Sequence, residues 1–560
     1  MEKLFCRSTY RYVCVVLYMI QTLNLAFLGL PQHPAYYVLI PYGVLLLGYE
    51  WYHRKLDGRN YSVTWLLLFL LCAAFSTFTS TYSETRSFLL LLLQGLIFLL
   101  AFAQEKGRRI YEMRQEMIRI LKLVCVLSFL ASFLSLLTFL FNISWTRNGA
   151  VFGLVGNRLF GVYFNCNPAA FLACMSICGS LLLLYLKSRF PYFHLANLIV
   201  QGTYVLLSNC RSAFLILLCL LMVVVYYILF KRRDYRRISN VLIAFCVGFL
   251  AMFGGQAVKA GLFVIPQLQG AVFKEESRFA FDDVVELVYM IKEDPIGNAK
   301  AIYHLANDLS SRRVELYYDA YRLYRAHPIT GIGLNNFQRM GQEMFYADGL
   351  FAGSTIVHAH NLFLEVLVVS GTLGFLCFMI FLGQALVRML ENLRRYAFTP
   401  GYFIVLLMSA MVSVEFAGSM LDYGVLYDYS LSALLFWIML GYLFCINQNR
   451  KARLQRSSYA FELLSYRLLH IHYETSVSDE AVCAQVLRRE CDDAYTLCIK
   501  FTAGVAFSLI YEASYALHVE KEEARAYEQK MAEELYAIAE AEISEMIGAH
   551  LPIMSISLSD

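Results

Sequence analysis

Apolar residues in this chain come in long blocks separated by short polar gaps. Each block is about the length a helix needs to cross a hydrocarbon core, roughly 17–25 residues. The blocks lie near residues 10–30, 36–52, 62–78, 87–104, 118–141, 164–186, 193–210, 212–230, 238–256, 362–386, 402–420 and 431–447. They predict about twelve transmembrane helices with ends placed to within about 2–4 residues. The seventh and eighth are parted only by a turn around Cys210–Arg211. Two long segments interrupt the pattern, residues 257–361 between the ninth and tenth blocks and residues 448–560 at the end. The fold class is therefore all-α: a polytopic membrane protein with one large extracytoplasmic loop between spans 9 and 10 and a helical cytoplasmic tail.

Lys and Arg set the orientation, because short cytoplasmic loops collect them. Clusters occur at Lys3, Arg7 and Arg11; at Arg54, Lys55 and Arg59; at Lys106, Arg108 and Arg109; and at Lys187 and Arg189. They continue from Lys231 to Arg237, at Arg388, Arg394 and Arg395, and from Arg450 to Arg456. They fall at every second loop, which places both termini in the cytoplasm. Charged residues make up only 16% of the chain, against about 25% in soluble proteins. The net charge of +4 then reflects topology and does not point to nucleic acid. The first block is too long, and lacks a small-residue cleavage site, to be a removed signal peptide. The fifteen cysteines lie mostly in or near apolar blocks, so neither a disulfide framework nor a structural zinc site is expected.

The outer loop is too long for a plain connector. Val314, Tyr317, Tyr318 and Tyr321 recur at helical spacing. Ser310 or Ser311 would cap that helix, and Pro328 with Gly331 would end it. The loop is expected to form short helices resting on the membrane. The tail reads as helix with charged faces, and Phe501 to Leu517 as a buried apolar helix. No internal repeat is evident.

The strongest chemical candidate is His358-Ala359-His360-Asn361, which opens the tenth span ahead of Gly371 and Gly374. In a helix that begins near His360, both glycines return to within about 40° of its direction. Small residues on that stripe would let a neighbouring helix approach. A histidine at a helix N-terminus tends to stay neutral near pH 7, as a general base must; equally, it would serve only as an interfacial cap. Arg211 breaks the cytoplasmic pattern of cations from a very short outer turn, where it faces a cavity or partner or snorkels to headgroups. Arg312 and Arg313 open the loop helix, where arginine and free N–H groups together suit an anion; the alternative is a solvated cationic face. Arg322 and Arg325 are reserves on the same helix. Arg158, Asn165, Asn167 and Pro168 precede or open the sixth span and either line a cavity or cap a helix. Glu415 is an intramembrane acid, functional or a helix–helix contact. Gly331-Ile332-Gly333 reads as a turn and not a nucleotide loop. Glu275, Glu276, Asp282, Asp283 and Glu286 read as a solvated face and not a metal site.

Together these features resemble the O-antigen ligase and O-unit polymerase-like superfamily of bacterial envelope glycosyltransferases. The resemblance rests on His360-Asn361, nine residues, Gly371, two residues and Gly374. It is extended by the segment from Arg313 to Gly333, by Arg211-Ser212, and by Arg158 to Pro168. It covers roughly residues 60–447 and implies an O-antigen ligase-like membrane domain over 1–447, with the tail at 448–560 outside it and of unknown role. It implies a glycan donor on undecaprenyl pyrophosphate, membrane lipid as surroundings, and a glycan, lipid or protein acceptor outside the cytoplasmic (inner) membrane. It implies no metal or other cofactor. His360 would activate the acceptor hydroxyl, and Arg211 with Arg313 or Arg312 would hold the pyrophosphate. His358, Asn361, Gly371, Gly374, Arg158 and Asn167 would support them, with inversion at the anomeric carbon. From another class, a transporter or flippase of polyisoprenoid-linked glycans, or a sensor whose tail signals inward, would also suit a helical body.

Overall fold

The computed structural model describes residues 5–25, 35–53, 61–82, 84–104, 110–147, 150–232, 237–270, 286, 288–292, 297–309, 312–344, 358–396, 401–421, 424–427, 430–454, 461–473, 483–491, 495–503, 507–517, 527–547 and 557–559. Helices stand at every apolar block. They are α1 (Arg7–Thr22), α2 (Ala35–Tyr52), α3 (Tyr61–Thr79), α4 (Thr85–Leu96), α5 (Ile110–Leu140), α6 (Cys166–Tyr185), α7 (Pro191–Leu207), α8 (Arg211–Arg232) and α9 (Arg237–Leu268). After the loop come α13 (Leu362–Tyr396), α14 (Tyr402–Ser419) and α15 (Leu431–Leu454), with α10 to α12 reserved for the loop helices below. By length and composition, seven helices among the described residues can cross a membrane. The chain is a mostly helical, multi-pass membrane protein.

The core of the bundle is apolar and aromatic. Trp437 packs its ring 4.7 Å from Phe98 and 5.8 Å from Phe381. On α8 and α9, by contrast, large apolar side chains such as Leu215, Leu242, Phe245 and Leu250 are exposed, as a lipid-facing surface requires. Between α5, α6 and α7, buried polar groups satisfy one another. Ser128 and Ser176 lie 2.8 Å apart, Asn197 donates to Ser176 and Ser180, and Ser132 donates to Gln201. Such interhelical hydrogen bonds stand in for the hydrophobic drive that lipid removes.

Two of the expected cytoplasmic cations are not on a surface. Arg7 and Arg11 of α1 are buried, and the carbonyls of Ala101 and Ala103, at the end of a π-helical turn over Ile97–Phe102, accept from them. Arg7 pairs bidentately with Glu50 and donates to Ala103 O. Arg11 pairs with Glu116 at 3.0 Å, and Ser8 and Tyr442 also donate to that carboxylate. Removing one partner of a buried pair leaves an uncompensated charge, at a cost of about 3–5 kcal/mol. Glu116→Ala is thus expected to lower the unfolding temperature in detergent sharply, and Arg11→Met/Glu116→Met to recover much of it. Equal losses in the single and double variants would contradict this. The clusters at Lys3, Arg54, Lys55, Arg59, Lys106, Arg108, Arg109, Arg233, Arg236 and Arg456 lie outside the described residues.

Three further departures stand out. A small antiparallel sheet follows α5, with β1 (Ser144–Arg147), β2 (Ala150–Val155) and β3 (Arg158–Gly161) in that order. Helix α9 runs on to Leu268, so the long loop before the next expected span starts later than residue 257. The tail is not all helix. It holds β4 (Phe461–Tyr473), β5 (Cys483–Cys491), β6 (Tyr495–Ala503), β7 (Phe507–Leu517), the helix α16 (Glu528–Ile547) and β8 (Ser557–Ser559). The strands form one sheet in the order β4-β7-β6-β5-β8. Leu497, Ile499, Phe501, Leu509, Tyr511 and Tyr515 point to one face and pack on Met531, Leu535 and Tyr536 of α16. Phe501 to Leu517 is therefore parts of two strands and not a helix. Glu528, buried, accepts both nitrogens of the Arg489 fork and the Tyr495 hydroxyl. Helix α16 rests against α5.

Candidate functional site

The long loop between α9 and α13 contributes α10 (Ala299–Leu309), α11 (Arg313–Ala326) and α12 (Phe337–Met344). Between α11 and α12, residues 328–333 seat themselves in a break in α13. The break is Gly371, whose φ of 65° and ψ of −173° are not helical. Four backbone or hydroxyl bonds close it. Ile332 N donates to Val368 O, Gly333 N to Val369 O, and both Thr372 N and Thr372 Oγ1 to Pro328 O. From α3, Ser76 Oγ donates to Val369 O. A Cβ on Gly371 would stand 2.1 Å from Ile329 O. The two glycines therefore do not form one stripe below His360, since the break resets the helical rotation. Gly371 admits the loop backbone. Gly374 does admit a helix, with Cys72 of α3 at 3.2 Å from where its Cβ would lie.

At the head of α13 the helix begins at Leu362, two residues later than His360. Asn361 is the cap, its Oδ1 accepting from Phe363 N and Leu364 N, while its Nδ2 donates to Met420 O at the end of α14. His360 stands just outside the helix with φ 48°, so it is not the capping side chain. Its ring lies 4.4 Å from that of His358, and both residues are half-buried. Beneath them Glu365, buried one turn into α13, accepts the Ala359 N–H at 2.8 Å. Tyr317 of α11 donates to His360 O at 3.4 Å, which ties the loop helix to the histidine turn.

A second group forms at the Ser208–Arg211 turn. Arg158, at the start of β3, donates to Ser208 O and to Asn167 Oδ1. Asn165 caps α6 through Asn167 N. Arg211 is the first residue of α8 and is exposed. Lys259 of α9, which the sequence pattern assigned to the loop after residue 256 and gave no role, donates to Asn209 Oδ1 at 2.5 Å. The two groups are linked by packing, because α14 lies on α6 with Gly418 against the Phe171 ring, and the end of α14 holds Asn361.

Residues 196–379 match the family model described as O-antigen ligase. Over these residues the chain is similar to the O-antigen ligase family. No curated protein matches the chain. The ligase-family segment takes in Arg211, Lys259, the loop helices, the histidine turn and both glycines; Arg158, Asn167 and the tail lie outside it.

Within the ligase-family segment the two loop arginines differ. Arg312, with φ 65°, precedes the helix and turns its guanidinium onto Glu315 at 2.9 Å while remaining 59% exposed. Arg313 is half-buried at the first position of α11 and has no such partner among the described residues. The anticipated caps Ser310 and Ser311 lie outside the described residues. The buried face of α11 is Leu316, Asp319, Ala320 and Leu323, whereas Tyr318 and Tyr321 are exposed. Burial pushes the Asp319 carboxyl above its usual range, and Arg322 at 3.6 Å pulls it back. Glu415 is buried against Gly424 and Ser419. Glu275, Glu276, Asp282 and Asp283 lie outside the described residues, and Glu286 is exposed.

Proposed function

We propose that this protein is a membrane glycosyltransferase of the O-antigen ligase or polymerase type. It transfers a saccharide from undecaprenyl pyrophosphate to an acceptor hydroxyl on the outer side of the cytoplasmic membrane. The observation that carries this reading is the tie between the arginine-bearing loop helix and the histidine turn, made by Tyr317 to His360 and by residues 328–333 in the break at Gly371. That tie gives a base and an anion-binding group a fixed relation, which is what a displacement between two large substrates needs. His360 takes the acceptor proton as the acceptor oxygen attacks the anomeric carbon from the face opposite the pyrophosphate. The bond to the pyrophosphate oxygen breaks with inversion. Arg313 and Arg211, with Arg158 behind Arg211, bind the pyrophosphate and offset the charge it gains. The proposal has twelve crossings, both termini in the cytoplasm, and arginine in the place that a metal takes in other phosphate chemistry.

The test is transfer by the purified full-length protein. The donor is an undecaprenyl-pyrophosphate glycan, and the acceptors offered are a lipid A–core glycolipid and a second copy of the donor, with and without EDTA. Product with either acceptor, undiminished by EDTA, is expected; no product with the donor bound would defeat the reading. Arg313→Ala should raise donor KM or lower kcat by at least about tenfold, whereas Arg312→Ala, which loses only an exposed pair worth about 0–1 kcal/mol, should leave both near wild type. The reverse ranking would move the phosphate contact to Arg312.

A further inference from the structure

Glu365 has no part in the reading above, yet it is the acid nearest in sequence to the histidine turn. Its side chain is 3% exposed, and its Oε2 accepts the N–H of Ala359, the residue between the two histidines. Ala359 is itself fully buried. Among the described residues, His360 and Tyr427 are titratable groups within electrostatic reach of the carboxylate. A buried carboxylate is costly unless hydrogen-bonded and matched by opposite charge, and a base that has just taken a proton supplies that charge.

We propose that Glu365 is a positioning residue for His360. Its carboxylate fixes the His358–Ala359–His360 turn from beneath and holds, by its negative charge, the imidazolium that forms when His360 takes the acceptor proton. This rests on the proposed role of His360. The proton moves from the acceptor hydroxyl to an imidazole nitrogen, and the new glycosidic bond forms as the bond to pyrophosphate breaks. Glu365 gains no proton. The imidazolium returns its proton to water after the products leave.

The chemistry separates a charge role from a packing role. Glutamine at 365 keeps both the size and the acceptor for Ala359 N–H but has no charge. Aspartate keeps the charge on a shorter arm. A residue that only packs would tolerate glutamine better than aspartate; a charge partner gives the opposite order. The experiment compares Glu365→Gln, Glu365→Asp and His360→Ala in the full-length protein, with an undecaprenyl-pyrophosphate glycan as donor and a lipid A–core glycolipid or the donor itself as acceptor. Thermal unfolding in detergent accompanies each assay. Glu365→Gln is expected to lower kcat by about 10- to 100-fold with donor KM within about twofold, since it weakens a state formed only during the reaction. Glu365→Asp should keep more turnover than Glu365→Gln. Wild-type kcat in Glu365→Gln, with His360→Ala inactive, would overturn the inference and leave the role of His360 standing. Full turnover in His360→Ala would instead overturn the functional reading beneath it. Should Glu365→Gln not fold, a folded Glu365→Asp with no turnover would likewise overturn the inference.

Discussion

Replacing His360 by alanine is expected to lower kcat by about 10²–10⁴-fold, the contribution of a positioned general base. Donor affinity should change little, since no phosphate contact is assigned to the imidazole. The protein should also keep its fold. His360 is half-buried outside the first turn of α13. The cap that stabilises the helix comes from Asn361, and the bond from Tyr317 is to the His360 backbone carbonyl, which alanine retains. His358→Ala tests the assignment between the two rings. It should lower kcat less than His360→Ala, because the proposed base was assigned from the spacing of His360 to Gly371 and Gly374. Turnover by each variant, compared with its donor KM and its unfolding temperature, decides this. Full activity in His360→Ala would remove the base from the mechanism, and a larger loss in His358→Ala would transfer the role.

The membrane body was legible because its signal is repeated and strong. Each apolar block is bounded by charge or by Pro and Gly, and each has a helix upon it. The loop helix was legible for a similar reason, although the face it buries was not singled out. Three tyrosines at helical spacing outweighed Leu316, Ala320 and Leu323, and tyrosine with one polar end is at home where water and lipid meet. The tail was misread because overall apolar content was weighed above period. In β6, Tyr495, Leu497, Ile499 and Phe501 alternate with Thr496, Cys498, Lys500 and Thr502, which is the period of a half-buried strand. The buried pairs of Arg7 and Arg11 were hidden in a different way. A cation near a span end looks the same in sequence whether it meets cytoplasm or a carboxylate folded in from elsewhere. Glu365 and Lys259 were given no role because each is a single charge in an apolar run. Only the fold brings one under Ala359 and the other against Asn209.

Gly371 shows how a motif can be found for one reason and work for another. Its spacing from His360 suggested a smooth helical stripe, whereas the backbone there leaves the helix. A φ of 65° with ψ of −173° belongs to a region that is essentially glycine's alone, and holding another residue there costs about 1–3 kcal/mol. To this is added a collision, since the new Cβ would lie 2.1 Å from the Ile329 carbonyl oxygen, a backbone atom that cannot swing aside. Gly371→Ala must therefore either straighten α13 or expel residues 328–333, and both release Thr372 from Pro328 and Ile332 from Val368. The expected result is a lower unfolding temperature, faster proteolysis within the loop between α9 and α13, and a fall in transfer of at least about tenfold, even though His360 and Arg313 are untouched. Gly374→Ala is the control. Its Cβ would press on the Ser370 side chain, Oγ and Cβ alike, and approach Cys72 at 3.2 Å, but it would meet no backbone carbonyl and Gly374 is not at positive φ. It should lose far less. Equal tolerance of alanine at 371 and 374 would mean that the break is not what joins the loop to the histidine turn. The joint effect of Gly371→Ala and Tyr317→Phe then measures how much of that coupling passes through residues 328–333 and how much through the Tyr317 hydroxyl, because two routes to one restraint give losses that do not add.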